Sequence, residues 1–381
     1  MIEDRLGLYI HWPYCARICP YCDFNVYKAA HADPEGLYQA LLADLNVWRT
    51  RTGPRSLSSI HFGGGTPSLM EPRLVAGLIE RAERLFGFEA DIEIGLEANP
   101  AEAHRLEGLA AAGIERLSLG VQALDDVSLK ALGRDHTARA GLDAFDLARG
   151  LFDRVSFDLI YARAGQSPTD WHSELAQALT LQPDHMSLYQ LTIEPGTAFE
   201  RQVQRGTLIP PAEDEAAQMF EITQALTRAA GLPAYEVSNH ARDRFHQSAH
   251  NRLYWEGADW IGIGPGAHSR LGRADKDGRQ GASAERRPAR YIEAVAADGA
   301  HRFEALSARD EAVERVLMGV RLVHDGLSPH SITTMTGISL DADEVDRLLA
   351  QGLIARRADR IHLTETGHRY ADHVAERLAP T

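Results

Sequence analysis

The sequence is poor in cysteine, in long apolar runs and in net positive charge. Only three of its 381 residues are cysteine, and no stretch approaches 18 uninterrupted apolar residues. The first residues lack the basic-then-apolar pattern of a signal peptide. With 40 Lys or Arg against 54 Asp or Glu, the net charge of −14 disfavours unspecific binding to nucleic acid. Because free thiols also fit a reducing compartment, we expect a cytoplasmic protein.

The overall composition is that of an ordinary globular protein. Hydrophobic residues make up 44% of the chain and charged residues 25%. A chain of this length predicts one large domain with a substantial core and a smaller second domain.

The three cysteines lie within eight positions, at Cys15, Cys19 and Cys22. Thiolates gathered on one loop act as soft ligands for iron or zinc. A closed zinc site needs four ligands, whereas an iron–sulfur cubane held by three thiolates leaves one iron open. The alternatives are a zinc loop with His11 as the fourth ligand, or three unrelated thiols.

The C-x3-C-x2-C spacing, with Tyr21 just before the third cysteine, resembles the signature of radical S-adenosylmethionine (SAM) enzymes. The resemblance implies a [4Fe-4S] cluster on Cys15, Cys19 and Cys22, with SAM chelating the open iron. It also implies that the reduced cluster cleaves SAM to a 5′-deoxyadenosyl radical.

Strand and helix patterns alternate about every 30 residues, which predicts repeated βα units. The expected fold is α/β: a partial (β/α)6 TIM-like barrel whose functional residues lie at the carboxyl ends of the strands. The predicted strands are Leu6–His11, Leu57–Phe62, Asp91–Glu97, Arg116–Val121, Val155–Ile160 and His185–Leu191. The predicted helices of this part are Pro34–Thr50, Glu71–Phe86, Ala138–Arg149, Thr169–Leu181 and Ala212–Ala230.

Several residues at these strand ends match family positions on the SAM side. The glycine run before Thr66 is expected to let the backbone approach a ligand and to offer free amide donors. A structural or merely polar role is the alternative for each position. The resemblance assigns SAM binding to Tyr9, Tyr21, Gly64, Gly65, Thr66, Glu97, Gln122, Arg134, Asp158 and Thr192. Residues 162–164 read Ala-Arg-Ala where relatives read Gly-Leu-Pro, which puts the shape of that loop in doubt.

A second motif follows at 250–255, His-Asn-Arg-Leu-Tyr-Trp. It resembles the H-N-x-x-Y-W motif of radical SAM haem chaperones of the HemW type. The resemblance implies haem contacts from His250, Asn251, Tyr254 and Trp255, since imidazole is an axial iron ligand and the aromatic rings offer flat apolar area. The alternative is a buried His-Asn hydrogen-bond pair beneath an aromatic cap. Glycines 262, 264 and 266 are expected to let the backbone pass close to a ligand.

Residues 270–290 carry seven Lys or Arg against three acids, which predicts a solvated, mobile linker. A cover whose cations meet haem propionates is the alternative. The predicted domains are 1–232, the barrel; 233–306, the motif segment and basic linker completing the barrel side; and 307–381, a winged-helix-like module.

The C-terminal module shows an order of elements that resembles the C-terminal domain of the family. The predicted helices are Arg309–Val323, Pro329–Thr336, Asp341–Gln351 and Glu365–Leu378, with strands Leu353–Arg356 and Arg360–Leu363. From Ala300 onward there are ten Arg, no Lys and thirteen acids, so DNA binding is disfavoured.

Two functions fit the resemblance. The first is a haem chaperone that binds haem, the cluster and SAM and delivers haem to respiratory haemoproteins. The second is an oxygen-independent coproporphyrinogen III dehydrogenase that forms protoporphyrinogen IX. The motif at 250–255, Phe24 in place of a further cysteine and the early start of the cluster loop favour the chaperone. Its expected partners are haem, client proteins through which it meets membranes, no nucleic acid, and a second copy in a cluster-dependent homodimer.

Overall fold

The computed structural model describes residues 5–272, 278–297 and 299–380, apart from the side chain at position 31. The strands are β1 Leu6–Trp12, β2 Tyr14–Cys15, β3 Tyr27–Lys28, β4 Leu57–Gly64, β5 Phe88–Ala98, β6 Arg116–Gln122, β7 Arg154–Tyr161, β8 His185–Gln190, β9 Asn239–Ala241, β10 Asp259–Ile263, β11 His268–Leu271, β12 Gln280–Ala284, β13 His301–Ala305, β14 Ile354–Arg357 and β15 Arg360–Leu363. The α-helices are α1 Pro34–Thr52, α2 Pro72–Phe86, α3 Leu106–Ala111, α4 Asp126–Ala131, α5 Ala138–Leu151, α6 Pro168–Leu179, α7 Ala198–Gln204, α8 Glu213–Ala229, α9 Ala249–Trp255, α10 Pro288–Ala296, α11 Ala308–Gly319, α12 Pro329–Thr336, α13 Ala342–Ala350, α14 Glu365–Arg369 and α15 Ala371–Leu378.

The six predicted barrel strands are confirmed, and they lie side by side in parallel in the order β1-β4-β5-β6-β7-β8. Helices fill the crossovers and cover the outer face. Strand β1 is almost wholly buried: Leu6, Leu8 and Ile10 are fully enclosed on one face, and on the other face Gly7 and His11 are buried while Tyr9 is half-buried. Burial on both faces is typical of a strand inside a parallel sheet.

The sequence missed a seventh parallel strand, β10, which pairs with β1 on the side away from β4. Its glycines make room for the chain itself, not for a ligand, which corrects the interpretation of positions 262 and 264. A Cβ at Gly264 would lie 2.3 Å from the carbonyl oxygen of His11, and one at Gly262 would lie 2.3 Å from that of His268. Only glycine therefore allows this close approach.

The basic linker is also corrected within the described residues. Strands β11 and β12 pair antiparallel, and β13 continues the same sheet, which has eleven strands in the described part of the chain. Arg279 is completely buried, and its guanidinium donates to the carbonyl of Ala258 at 2.7 Å. Charge composition alone could not reveal this, because it does not distinguish a buried arginine or a strand within the sheet from a solvated loop. Residues 273–277 of this segment lie outside the described residues.

The C-terminal elements follow the predicted order, except that the closing helix is divided into α14 and α15. They enclose their own hydrophobic cluster, which includes Val316, Ile332 and Val374. Ion pairs join this module to the sheet side, for example between Arg270 and Glu314 at 2.6 Å. The division into three domains stays a prediction, which the separate cluster supports. In the described ranges, no helix is both long and apolar enough to cross a bilayer.

Candidate functional site

The cysteine loop begins where β1 ends, at the carboxyl edge of the parallel sheet. Cys15 is buried, Cys19 and Cys22 are half-buried, and the Cys22 amide donates to the Cys19 carbonyl at 3.2 Å. Burial raises the pKa of the Cys15 thiol and raises that of Cys22 to about 11. Because metals bind thiolates, loading this loop with iron would release protons.

The glycine segment at the end of β4 holds this loop in place. The Gly65 amide donates to the carbonyl of Trp12 at 2.7 Å, and the Thr66 amide donates to that of Tyr14 at 3.0 Å. A Cβ at Gly65 would lie 2.8 Å from the backbone of Pro13. The expectation that the glycine run offers amide donors to a ligand is therefore wrong for Gly65: its amide, like that of Thr66, fixes the start of the cysteine loop.

Strand ends and the cysteine loop enclose one cavity of about 380 Å³. All three cysteines line it. So do nine of the ten residues that the sequence assigns to SAM, namely Tyr21, Gly64, Gly65, Thr66, Glu97, Gln122, Arg134, Asp158 and Thr192. The parallel sheet explains this convergence, since the carboxyl ends of its strands share one edge.

Two side chains of opposite charge, Arg134 and Glu97, line this cavity. Arg134 donates to the side-chain oxygen of Asn99 at 2.8 Å and to the carbonyl of Gly120 at 3.0 Å, and it lies 3.6 Å from the sulfur of Cys19. Glu97 accepts from the Gly64 amide at 3.2 Å, and its side chain is 40% exposed. An anion and a cation held apart by backbone contacts suit a ligand that carries both an amino and a carboxylate group.

Gln122 and Asp158 line the inner part of the cavity. Gln122 adopts a φ of 70°, unusual for a residue with a side chain, and its Oε1 is buried without a partner. Such an orphaned acceptor indicates a missing donor, and strained backbone is common at binding sites. Asp158 accepts from Ser118 at 2.6 Å and from Ser156 at 2.5 Å, and burial raises its pKa to about 6.

Tyr9 is the one predicted SAM residue that does not line the cavity. Its hydroxyl lies 3.1 Å from Nδ1 of His11, whose Nε2 contacts the carbonyl of Asn25 at 2.9 Å. Its ring stacks at 6.4 Å on His61 and at 6.2 Å on His250. Tyr9 thus lies inside the barrel, below the cavity. With both nitrogens engaged, His11 is also unsuited as the fourth ligand of a zinc loop.

The H-N-x-x-Y-W residues lie on α9 at the opposite side of this aromatic stack. His250 is 2% exposed, and its two ring nitrogens contact Ser59 at 3.0 Å and the Tyr254 hydroxyl at 2.8 Å. The His250 ring also stacks on His61 at 4.9 Å, and Nε2 of His61 contacts Glu97 at 3.3 Å. An axial bond from His250 to haem iron would require the Tyr254 hydrogen bond to break, so a direct haem contact stays a prediction.

The other two motif residues point elsewhere. Trp255 lines a separate cavity of about 480 Å³ at the C-terminal module, and the guanidinium of Arg321 lies 5.2 Å from its ring. Asn251 is half-buried, and its backbone amide donates to the hydroxyl of Ser248, the N-cap of α9, at 3.2 Å. The motif is therefore not gathered at the cavity of the cysteines.

Sequence reasoning missed Asn99 and Ser118, which also line the cavity. Each lies on or just after a predicted strand, so the position along the strand was the available signal. In the loop after Asp158, Ala162 adopts a φ of 56° at the position where relatives have glycine, and the buried Arg163 pairs with Glu174 at 2.7 Å.

The donor set fits an iron–sulfur cluster better than a single metal ion. Among residues 5–272, 278–297 and 299–380, no three His, Cys, Asp or Glu side chains are arranged to hold one metal ion. In a cubane each thiolate binds a different iron, so three thiols spread along one cavity wall match its requirement. The Gln122 acceptor and the Arg134–Glu97 arrangement similarly fit SAM.

Comparison with known proteins agrees with this geometry. Residues 9–176 match the radical SAM superfamily. The mitochondrial radical S-adenosyl methionine domain-containing protein 1 of Bos taurus is 43% identical over 272 residues, which cover 71% of this chain and 61% of that protein, less than two thirds of its length. The heme chaperone HemW of Haemophilus influenzae is 35% identical over 384 residues, covering 97% of each chain.

Among solved structures, the coproporphyrinogen III oxidase HemN from Escherichia coli matches with a TM-score of 0.82 at 23% identity. The match covers 100% of this chain and 91% of that one, and it shows the shared fold. The chain belongs to the radical SAM superfamily and, within it, to the HemW-type proteins.

Proposed function

We propose that this chain is a cytoplasmic haem chaperone that holds a [4Fe-4S] cluster and SAM, binds haem and delivers it to respiratory haemoproteins. The observation that carries the proposal is the single cavity lined by all three cysteines and nine of the residues assigned to SAM. The family implies the cluster and SAM. The haem role rests on the HemW relatives and on the motif at 250–255.

Each group at the cavity has a definite task in this proposal. Cys15, Cys19 and Cys22 would hold the cluster, leaving one iron for SAM. Glu97 would accept from the amino group of SAM, and Arg134 lies beside the sulfur of Cys19, where its charge stabilises thiolate. Gln122 supplies its unpaired acceptor. When bound and reduced, a cluster of this kind can supply an electron to SAM.

The remaining residues in the proposal orient these groups. Asp158, fixed by two serine hydroxyls, presents a carboxyl group at the inner wall, while Thr192 and Tyr21 close the outer part. Tyr9 acts from below through His11, which contacts the carbonyl of Asn25 just after the last cysteine. The net charge of −14 supports the absence of a nucleic-acid partner.

The decisive experiment is anaerobic reconstitution with iron and sulfide, followed by haem in one sample and coproporphyrinogen, SAM and a reductant in another. We expect a stoichiometric haem spectrum and no porphyrin product. Transfer of the bound haem to an apo-haemoprotein, followed by absorbance, tests delivery. Turnover of coproporphyrinogen would replace the proposal with the dehydrogenase function.

A further inference from the structure

A second polar cavity, of about 660 Å³, lies beside the cysteine loop. It is formed by the end of β12, the start of α10, the start of β13 and two residues that follow the cysteines. Four arginines line it, namely Arg286, Arg287, Arg290 and Arg302, and Glu285 is the one acidic residue in the lining. In a chain with a net charge of −14, this is a marked local excess of positive charge.

The four guanidinium groups are exposed and, within the described part of the chain, no carboxylate pairs with them. Most other arginines near the sheet do have partners, as Arg270 does in Glu314. The carboxylate of Glu285 is already used, since it accepts from the backbone amide of Arg287 at 2.9 Å. Unpaired arginines around one concavity favour an anionic ligand, because a guanidinium binds a carboxylate with two parallel hydrogen bonds.

The start of α10 adds to this preference. The helix has nine residues, its N-cap Arg287 makes no side-chain capping bond, and its first turn contains no acidic residue. Backbone amides in the first turn of a helix carry partial positive charge and bind anions, although Pro288 here has no N–H and the Glu285 carboxylate already accepts from the N-cap amide. The arginines and the helix start therefore present positive charge to the same cavity.

The neighbouring segment at 24–27, which bends at residues 24 and 25 before β3 begins, separates this cavity from that of the cysteines. Phe24 and Val26 line the cysteine cavity, whereas Asn25 and Tyr27 line the arginine cavity. The Phe24 side chain is 60% exposed. An exposed aromatic ring on one side of a short segment and arginines on the other suit a flat, apolar ligand that reaches across the segment and carries carboxylates along one edge.

Hydrogen bonds fix this segment to the arginines. The side-chain amide of Asn25 donates to the carbonyl of Arg286 at 2.8 Å and to that of Pro265 at 2.8 Å. The Tyr27 hydroxyl also donates to the Arg286 carbonyl, at 3.0 Å. The backbone at Arg286 is thus held at a set position relative to the cysteine loop.

We propose that the arginine cavity binds the two propionate carboxylates of haem, with Arg286 and Arg290 as the main contacts and the macrocycle on the Phe24 side. The proposal rests on the haem-binding function proposed above. It places the carboxylate edge of haem beside the cysteine loop and away from His250, which is buried in the barrel.

The test is titration of the reconstituted protein with haem and with haem dimethyl ester, whose carboxylates are blocked. We compare wild type, Arg286→Gln/Arg290→Gln, and the control Arg205→Gln/Arg357→Gln, which removes two exposed arginines that line neither cavity. The first double variant is expected to bind haem about tenfold more weakly or worse, since two charge-assisted contacts are lost. Wild type should bind the ester with a similar loss, and the control should match wild type with haem.

Iron content and the thermal melting curve establish that each variant is folded and loaded. If Arg286→Gln/Arg290→Gln binds haem as wild type does, the assignment is overturned while the proposed function stands. If wild type binds no haem at all, the proposed function fails and the assignment with it. Equally tight binding of inorganic phosphate would indicate a general anion site and would also overturn the assignment.

Discussion

The barrel mouth and the motif helix use the same kinds of side chain in opposite ways. At the barrel mouth, which comprises the cysteine loop and the carboxyl ends of β4 to β8, Gln122 and Arg134 keep polar atoms without partners. At the motif helix, α9, both ring nitrogens of His250 are hydrogen-bonded, and its backbone amide donates to Glu93 at 3.1 Å. The mouth therefore keeps polar atoms available to a ligand, whereas His250 keeps none, although Trp255 Nε1 on the same helix and Nδ1 of the stacked His61 are also unpaired.

This difference indicates which of the two signature motifs contacts a ligand. A binding site must keep donors and acceptors available, whereas a structural network satisfies them within the chain. The cysteine motif meets the first description and His250 the second. Substitutions at the mouth should therefore alter ligand binding, and those around the helix should alter stability.

The largest expected effect is at the mouth. Cys19→Ala should prevent assembly of the cluster, because two thiolates cannot hold three irons, and iron and sulfide content should fall to background. The neighbouring Ile18→Ala, exposed in the same loop, should keep its iron. If the Cys19→Ala protein kept both its oligomeric state and its rate of haem transfer, neither a cluster-dependent homodimer nor control of haem release by the cluster could be upheld.

Next comes Glu93→Gln, beneath the motif helix. The Glu93 side chain is 1% exposed and pairs with Arg116 at 2.7 Å and with Arg154 at 3.1 Å. Removing its charge leaves the buried Arg116 without a carboxylate partner and Arg154 with Glu115 alone, which should lower the free energy of unfolding by roughly 3–5 kcal/mol. Urea denaturation measures this, with the exposed Glu35→Gln as a control that should change little. Weakened SAM binding at unchanged stability would contradict the division between mouth and interior.

Glu97→Gln should do the reverse. Since hydrogen bonds to charged groups contribute about 1.5–3 kcal/mol, SAM affinity should fall roughly ten- to a hundredfold. Stability should change little, because the carboxylate is 40% exposed. Equilibrium dialysis with the reconstituted protein measures the affinity. Unchanged SAM binding would remove Glu97 from the proposed site.

The pH dependence of stability separates the same regions. Burial, helped by the neighbouring His368, lowers the pKa of His240 from 6.5 to about 3. His240 therefore binds a proton in the unfolded chain at a pH where it stays neutral in the folded chain. As a result, its contribution to stability falls as the pH drops below 6.5. Between pH 7 and 5 the loss from His240 should be roughly 2 kcal/mol.

His240→Leu should flatten the dependence of stability on pH by that amount, whereas substitution of the exposed His373 by Gln should not.

At the mouth, Asp158 changes stability with pH in the opposite direction. Its pKa is raised to about 6, so the folded form gains a proton first, and this group favours folding increasingly as the pH falls from 6 to 4. Unfolding curves at several pH values measure both effects, and equal slopes for wild type and His240→Leu would contradict the first.

The smallest effect is expected for Tyr254→Phe, which removes the 2.8 Å hydrogen bond to His250. A single neutral hydrogen bond contributes about 1 kcal/mol, so stability should fall by that amount while haem and SAM affinities stay unchanged. Haem titration measures the affinity, and urea denaturation of the same sample measures the free energy of unfolding. A loss of haem affinity at unchanged stability would make Tyr254 a haem contact, as the sequence motif implies.

The sequence by itself determined the repeated βα units, the cysteine loop and most of the cavity lining. These features are local: hydrophobic periodicity defines each strand, and the residue that follows a strand in a parallel sheet must lie at the shared carboxyl edge. Asn99 and Ser118 escaped notice because nothing in their immediate sequence distinguishes them from other polar residues near strand ends.

The tertiary structure alone decided the place of Tyr9, the burial of His250 and the strand character of Gln280–Ala284. Each depends on contacts between residues far apart in the chain, as when Ser59 meets His250 or Arg279 meets Ala258. A local sequence pattern shows which chemical groups a side chain has, but it does not show which side chains from elsewhere in the chain will contact it. Whether a histidine or an arginine is free to bind a ligand is a property of those neighbours, and folding sets it.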